Sequence, residues 1–171
     1  MAKRLWFFLL IAVLGLGLAQ GVLAAGNIQD DVVALKAKVA QAAKLLSKDS
    51  TQALKEFNDP QGEWAAEPHI FAYKLDGTCL AMPSNPKAVG TNRLQGKDVK
   101  GRFFLQEMIR LIHQSAQGQG WVEYKIKRPD KPQDPPVQKV AWVSRVPGKP
   151  MLVGAALYAT KSEVISRGAG H

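Results

Sequence analysis

Between Asp30 and Ser47, apolar residues recur at steps of three and four along the chain. This spacing predicts an amphipathic α-helix, because 3.6 residues complete one helical turn. The apolar stripe consists of Val32, Leu35, Val39, Ala42 and Leu46. Asp30 and Asp31 lie where negative charge stabilises a helix N-terminus. Asp49 and Ser50 then break this helix and can cap a second, shorter one over residues 51–57.

Farther along the chain, the hydrophobic period changes to two, which is the period of a β-strand. Five strands are predicted, over residues 69–75, 78–82, 121–127, 137–146 and 151–158. Asp76-Gly77 between the first two is typical of a tight hairpin turn. Between the second and third strands, the stripe Phe104, Met108, Leu111 and Ile112 predicts another helix over residues 102–117, which Gly118 ends.

The order of these elements is helix, two strands, helix and three strands, which predicts an α+β domain. We expect a long N-terminal helix packed on a five-stranded antiparallel sheet. Residues after Lys161 are polar and include glycine, so residues 162–171 are expected to form a flexible tail.

Length and composition limit the classes of protein to which this chain can belong. The chain has 171 residues, a single cysteine and a formal net charge of +9. This length predicts one core, and one cysteine excludes an intrachain disulfide framework. The lysines and arginines are scattered rather than clustered beside aromatic residues, so we expect no nucleic-acid partner. A basic surface that serves solubility, with some attraction to anionic ligands or membranes, is the simpler interpretation.

The N-terminus has the pattern of a bacterial signal peptide. Lys3 and Arg4 precede an apolar run over residues 5–18, and residues 22–24 provide a cleavage site before Ala25. We therefore expect residues 1–24 to be removed and the mature protein to reside in the periplasm. The alternative is an uncleaved leader that anchors the protein to the inner membrane, although this apolar run is short for a spanning helix.

Several segments resemble single Cache domains, which are PAS-like extracellular sensory modules. Residues 70–83 and 85–92 resemble their central hairpin, and residues 101–108 resemble the following helix. Residues 120–124, 139–143 and 153–158 match the last three strands. The resemblance keeps its order over about residues 30–161, so residues 25–161 are predicted to form one such domain.

The resemblance implies binding of a small molecule, commonly an organic acid or an amino-acid-like compound. Cache domains usually lie between two membrane helices of a chemoreceptor or sensor kinase, whereas the sequence shows no second span and no output domain. We therefore expect a free periplasmic protein that signals through a membrane sensor kinase or chemoreceptor. The long helix is also a candidate homodimer interface.

Aromatic residues on the strands and the second helix are candidates for the pocket wall, since such pockets are lined by apolar rings with a few polar groups. The alternative for each ring is an ordinary core position. Lys139 at a strand start would meet a ligand carboxylate, as the resemblance suggests, or else be a solvated edge lysine. Arg102 is a weaker candidate for the same role. Met82 and Trp142 replace the usual His and Tyr of the family and would change the polarity of the pocket. The candidate ligand-binding residues are Phe71, Tyr73, Met82, Arg102, Phe103, Trp121, Tyr124, Lys139 and Trp142.

Catalytic and metal-binding patterns are missing from the sequence. It contains no GxSxG, HExxH, Walker or GxGxxG motif. His69 and His113 have no acidic residue or cysteine at ligand spacing, so structural roles are favoured for both. We expect no enzyme activity, no cofactor and no metal. The alternative to a ligand-binding sensor is a ligand-free interaction or scaffold module of the envelope, whose pocket is filled by its own side chains, including Met82 and Trp142.

Overall fold

The computed structural model describes residues 28–128 and 131–168. The predicted signal peptide, residues 1–24, lies outside these residues. Four helices are present: α1 (Ile28–Lys48), α2 (Ser50–Phe57), α3 (Phe104–Gln114) and α4 (Lys161–Gly168). Five strands are present: β1 (Ile70–Lys74), β2 (Cys79–Ala81), β3 (Gln119–Ile126), β4 (Val137–Arg145) and β5 (Met151–Leu157). Within the described part of the chain, no helix is both long and apolar enough to span a membrane.

The strands form one sheet in the order β2-β1-β5-β4-β3, and every neighbouring pair is antiparallel. The predicted fold class, a long N-terminal helix on a five-stranded antiparallel sheet, is confirmed. The hairpin turn is also present, since Gly77 has a φ of +93° and a side chain there would collide with Leu94.

Alternation along the strands gives the sheet two apolar faces. One face packs against α1, α2 and α4, and its core includes Leu35, Phe57 and Val140. The other face packs against α3, with Phe71, Leu105 and Met108 in its core. The sheet therefore separates the long helix from the second layer.

The observed helix boundaries agree with the predicted cap of α2 but differ from the predicted ends of α3. Asp49 caps α2 as predicted, because its carboxylate accepts hydrogen bonds from the N–H groups of Thr51 and Gln52. The helix α3 is shorter than predicted and runs from Phe104 to Gln114, so Arg102 and Phe103 lie in the loop before it.

The expectation of a flexible tail from residue 162 is wrong for residues 162–168. These residues belong to α4, and Val164 is only 1% exposed because α4 packs against α1. Val164 is the buried apolar contact that docks this helix. Ile165 is 47% exposed and residues 161–163 and 166 are polar, so the sequence resembles that of a tail.

Candidate functional site

A cavity of about 880 Å³ opens between the α3 face of the sheet and the segment that connects β2 to α3. The four elements β1, β3, β4 and β5 contribute its floor, and α3 contributes Phe104 and Met108. This volume is in the range of small-molecule binding sites.

The floor of the cavity is aromatic. Phe71 and Tyr73 project from β1 and Tyr124 projects from β3, where its ring stacks on that of Phe104 at a centroid distance of 4.9 Å. Gly154 lets the Phe71 ring lie close to β5, because a Cβ at this glycine would lie 2.6 Å from the ring. Burial raises the pKa of Tyr73 and Tyr124, so both hydroxyls stay protonated at neutral pH.

Lys139 is a buried cation that lines this cavity. It lies opposite Tyr124 in the β3–β4 register, is 6% exposed, and has its ammonium 4.5 Å from the centre of the Tyr158 ring. Burial lowers the pKa of Lys139, while the charge of Glu67 acts in the opposite direction. Among the described residues its ammonium forms no ion pair and donates no hydrogen bond. An anionic group in the cavity would give the Lys139 ammonium an ion-pair partner.

The segment before β1 contributes an acid and an imidazole to the cavity. Glu67 and His69 both line it, and the Glu67 carboxylate lies 3.1 Å from Nδ1 of His69. Burial lowers the pKa of His69, and the positive charges of Lys139 and Lys38 add to this effect, whereas Glu67 opposes it. Thus the charge of Glu67 acts on three basic groups, His69, Lys139 and Lys38.

Lys38 fixes this segment to α1. Its ammonium donates hydrogen bonds to the carbonyl oxygens of Glu63, Ala66 and Pro68 at 3.2, 2.8 and 3.0 Å. Because Glu67, Pro68 and His69 line the cavity, one side chain connects the long helix to the cavity wall.

The charge of the cavity lining is predominantly positive. Five basic side chains line it, against the two carboxylates Asp31 and Glu67. The five are Arg93, Lys97, Lys127, Arg128 and Lys139. Such a lining attracts anions into the cavity.

The structure brings five of the predicted site residues together. Phe71, Tyr73, Met82, Tyr124 and Lys139 all line the cavity. They come from four separate strands or strand ends, so the antiparallel register assembles them.

Trp121 and Trp142 lie on the opposite face of the sheet, so their prediction as cavity residues is wrong. Their rings pack edge-on at 5.1 Å, and the ammonium of Lys36 on α1 lies 4.6 Å from the centre of the Trp142 ring. The reason is the period of the strand: Trp142 is an odd number of residues from Lys139, so the two side chains point to opposite faces.

Arg102 and Phe103 also lie outside the cavity, contrary to prediction. The guanidinium of Arg102 forms an ion pair with Glu107 and donates to the carbonyl oxygen of Glu123 at 2.6 Å. Phe103 lies beneath the ammonium of Lys97, 4.7 Å from the ring centre. The carboxylate partner of Arg102 is therefore supplied by the protein itself.

Several cavity residues were missed by the sequence analysis. Glu67, Arg93 and Lys97 lie in connecting segments, where no hydrophobic period reports the direction of a side chain. Tyr158, which was among the strand aromatic residues considered for the pocket wall, also lines the cavity, since alternation from Ala156 places it on that face.

Within residues 28–128 and 131–168, no three His, Cys, Asp or Glu side chains come close enough to hold a metal ion. His69 pairs with Glu67, and His113 lies beside Arg145.

Comparison with known proteins gives one family match. The family described as "Cache domain" matches residues 16–167 of this chain, a range that begins within the predicted signal peptide. No curated protein sequence matched the chain.

Solved structures show the same fold at low sequence identity. A periplasmic sensor domain of a chemotaxis protein superposes with a TM-score of 0.61 at 21% identity, covering 78% of this chain and 96% of that one. A methyl-accepting chemotaxis protein from Vibrio parahaemolyticus gives a TM-score of 0.59 at 15% identity, covering 77% and 90%. A Cache chemosensory domain described in terms of carboxylic acid recognition gives 0.57 at 22% identity, also covering 77% and 90%.

Proposed function

This chain belongs to the Cache domain family, and from that membership we propose that it is a periplasmic sensory protein that binds a small organic acid or another polar metabolite. The ligand occupies the cavity between α3 and the sheet. The loaded protein then signals through a membrane partner, either a chemoreceptor or a sensor kinase.

The observation that carries this proposal is the buried ammonium of Lys139 in a cavity of about 880 Å³, where it has no hydrogen bond and no ion pair with any described residue. A buried charge without a partner is costly, and a ligand carboxylate would remove that cost. Arg93 and Lys97 on the opposite wall would hold a second polar group. The aromatic floor of Phe71, Tyr73 and Tyr124 would cover the carbon skeleton.

Ligand binding can move α1 through the segment before β1, which Lys38 holds against this helix. A ligand that draws Lys139 away from Glu67 changes the charge balance around His69, which belongs to the same segment. Because Lys38 joins this segment to α1, a shift of the wall is a shift relative to the long helix. A ligand produces such a change only if it binds the two arrangements with different affinities.

The scaffold alternative requires a cavity filled by the protein's own side chains. Met82 lines the cavity without closing it, and Trp142 lies on the other face. These positions favour the sensory function. The proposal involves no catalytic step.

The test is a thermal-shift screen of the mature protein against organic acids, amino acids, purines and amines, followed by calorimetry. A ligand that binds only the native state raises the melting temperature by mass action. We expect a saturable rise with an organic acid, and at least a tenfold loss of affinity in Lys139→Met, which corresponds to about 1.4 kcal/mol.

Lys74→Met is the matched control, because Lys74 is exposed at the end of β1 and does not line the cavity. It should bind like the wild type. A folded protein that responds to no compound in the panel would favour the scaffold alternative. Binding that is unchanged in Lys139→Met would remove Lys139 from the site.

A further inference from the structure

The outer edge of β3 has a short stretch of backbone that no residue in the described part of the chain covers. The carbonyl oxygen of Gly118 accepts a hydrogen bond from the N–H of Arg145 at 2.8 Å, and Gln119 lies opposite Ser144. In an antiparallel pair, alternate residues bond to the partner strand. The backbone groups of residues 119, 121, 123 and 125 therefore point away from β4.

Both ends of this edge are covered by the chain itself. The N–H of Val99 donates to the carbonyl oxygen of Lys125 at 3.0 Å, so one residue already pairs with the edge as an added strand would. Asp98 accepts from the N–H of Lys125 at 3.2 Å. Arg102 covers the carbonyl oxygen of Glu123, and Ser115 accepts from the N–H of Gln119 at 3.3 Å.

Between these covered ends, four backbone hydrogen-bonding groups point away from β4. They are the carbonyl oxygen of Gln119, both backbone groups of Trp121 and the N–H of Glu123. None of them has a hydrogen-bond partner among residues 28–128 and 131–168. Their spacing matches that of one extended strand of three to five residues.

The uncovered stretch lies at the bottom of a groove of about 520 Å³. Arg110, Leu111 and Gln114 of α3 form one wall, and Lys161 at the start of α4 lies on the other side. The groove is separate from the ligand cavity, with which it shares none of its lining residues. Edge strands in such positions are usually blunted, whereas this one lies open at the bottom of a groove.

The charges of the groove favour an acidic occupant. The ion pair of Arg102 with Glu107 neutralises both side chains, and the Glu123 carboxylate accepts a hydrogen bond from the backbone N–H of Lys161 at 3.2 Å. Arg110 and the Lys161 ammonium form no ion pair with any described residue. In an added strand, side chains alternate between the two sides of the groove, so acidic residues can face each cation.

We propose that the open edge of β3 at residues 119–123 binds an extended, acidic segment of a partner protein as an additional strand. The partner supplies backbone groups to Trp121 and Glu123 and carboxylates to Arg110 and Lys161. Such strand addition is an established mode of peptide recognition. This surface is independent of the ligand cavity, so its test does not depend on the proposed ligand.

The test uses a blocked five-residue peptide, Val-Glu-Glu-Glu-Val, whose adjacent glutamates face both sides of the groove; it is titrated into the purified protein while backbone amide NMR signals are followed. We expect saturable shifts of the Trp121 and Glu123 amides, together with slower hydrogen exchange at both. The same peptide methylated at its backbone nitrogens keeps its charge but cannot donate, so it should bind at least tenfold more weakly.

A charge-reversal pair tests the recognition by side chains. Arg110→Glu should weaken binding about threefold, as expected for one exposed ion pair. Lys44→Glu makes the same change in net charge on the exposed side of α1, away from the groove, and should not affect binding.

Three results would overturn the proposal. One is the absence of saturable shifts at Trp121 and Glu123 with the acidic peptide. Another is equal binding of the methylated peptide, which would show attraction by charge without strand pairing. The third is concentration-dependent shifts of these amides without peptide, which would assign the edge to a second copy of this chain.

Discussion

Asp98 is the buried carboxylate that organises the loop leading into α3. It is 6% exposed and accepts hydrogen bonds from the N–H groups of Lys100, Arg102 and Lys125 at 2.8, 2.9 and 3.2 Å. Burial alone would raise its pKa, but these hydrogen bonds and the charge of Arg102 hold the pKa of Asp98 below its usual range. The ionised form is therefore favoured in the folded protein.

Removing this carboxylate should destabilise the protein in a pH-dependent way. A folded-state pKa below the unfolded value contributes stability above the unfolded pKa, and that stability is lost as pH falls through the folded pKa. We expect Asp98→Ala to lower the free energy of unfolding at pH 7 by about 1–3 kcal/mol, because three backbone donors lose their acceptor. Urea unfolding at pH 7 and pH 3 should show a smaller loss at the lower pH. Asp134→Ala, at an exposed position, is the control; a loss of equal size at both pH values would contradict the assignment.

Single positions also show where the sequence was informative about the site. Alternation placed Phe71 and Tyr73 on one face and Tyr124 with Val122 and Ile126 on another strand's apolar face, and the structure joins these faces in the cavity. The same rule separates Trp142 from Lys139, since an odd number of residues divides them. Glu67 and Arg93 could not be placed in this way, because their positions depend on how the connecting segments fold over the sheet.

Among the elements, α1 and the segment before β1 act as one unit through Lys38. Burial lowers the pKa of Lys38, while Glu63 and Glu67 act in the opposite direction. The ammonium has three carbonyl acceptors, so it replaces the hydrogen bonds that water would otherwise provide.

Lys38→Met should release this segment while keeping the apolar stem of the side chain. We expect faster hydrogen exchange at residues 63–69, lower stability by about 2 kcal/mol, as for the loss of hydrogen bonds to a charged group, and weaker binding of any ligand that contacts Glu67 or His69. Lys44→Met on the exposed side of the same helix is the control. Unchanged hydrogen exchange at residues 63–69 would show that Lys38 does not fix this segment to α1.

Most elements were predictable because each one carries its own period. The stripe of α1 and the alternation of β3, β4 and β5 give these elements within two residues of their observed ends. The helix α4 was missed because only Val164 among its described side chains is buried. One contact leaves no period in the sequence, so tertiary packing determines this helix.

The molecule as a whole has one layer of helices on each face of the sheet. The cavity lies on the α3 face and most of the long helix lies on the other, although the first turn of α1 reaches the cavity lining at Asp31. A Cache domain arranged in this way needs a physical connection between the layers to report a ligand. The segment that Lys38 holds passes around the end of the sheet before β1 and provides one.

The location of the whole protein rests on its N-terminal segment. We propose that the leader is cleaved after Ala24, so that the mature protein begins at Ala25 in the periplasmic fraction. Intact-mass measurement after cell fractionation tests this, and Ala24→Lys should block cleavage and retain the protein with the membrane. A wild-type protein of full-length mass in the membrane fraction would instead support the anchored alternative.

The packing of Trp121 and Trp142 beneath Lys36 has an optical consequence. These two indoles and Trp64, whose ring lies 4.7 Å from that of Phe57, all belong to the α1 side of the sheet, and none lines the ligand cavity. A ligand in the cavity would touch no tryptophan of the described chain. Tyr73, Tyr124 and Tyr158 line the cavity and would respond to the ligand directly, so the tryptophans must be excited selectively. A change in tryptophan emission on binding would then arise from movement between the sheet and the long helix, which makes this emission a reporter of signal transmission rather than of occupancy.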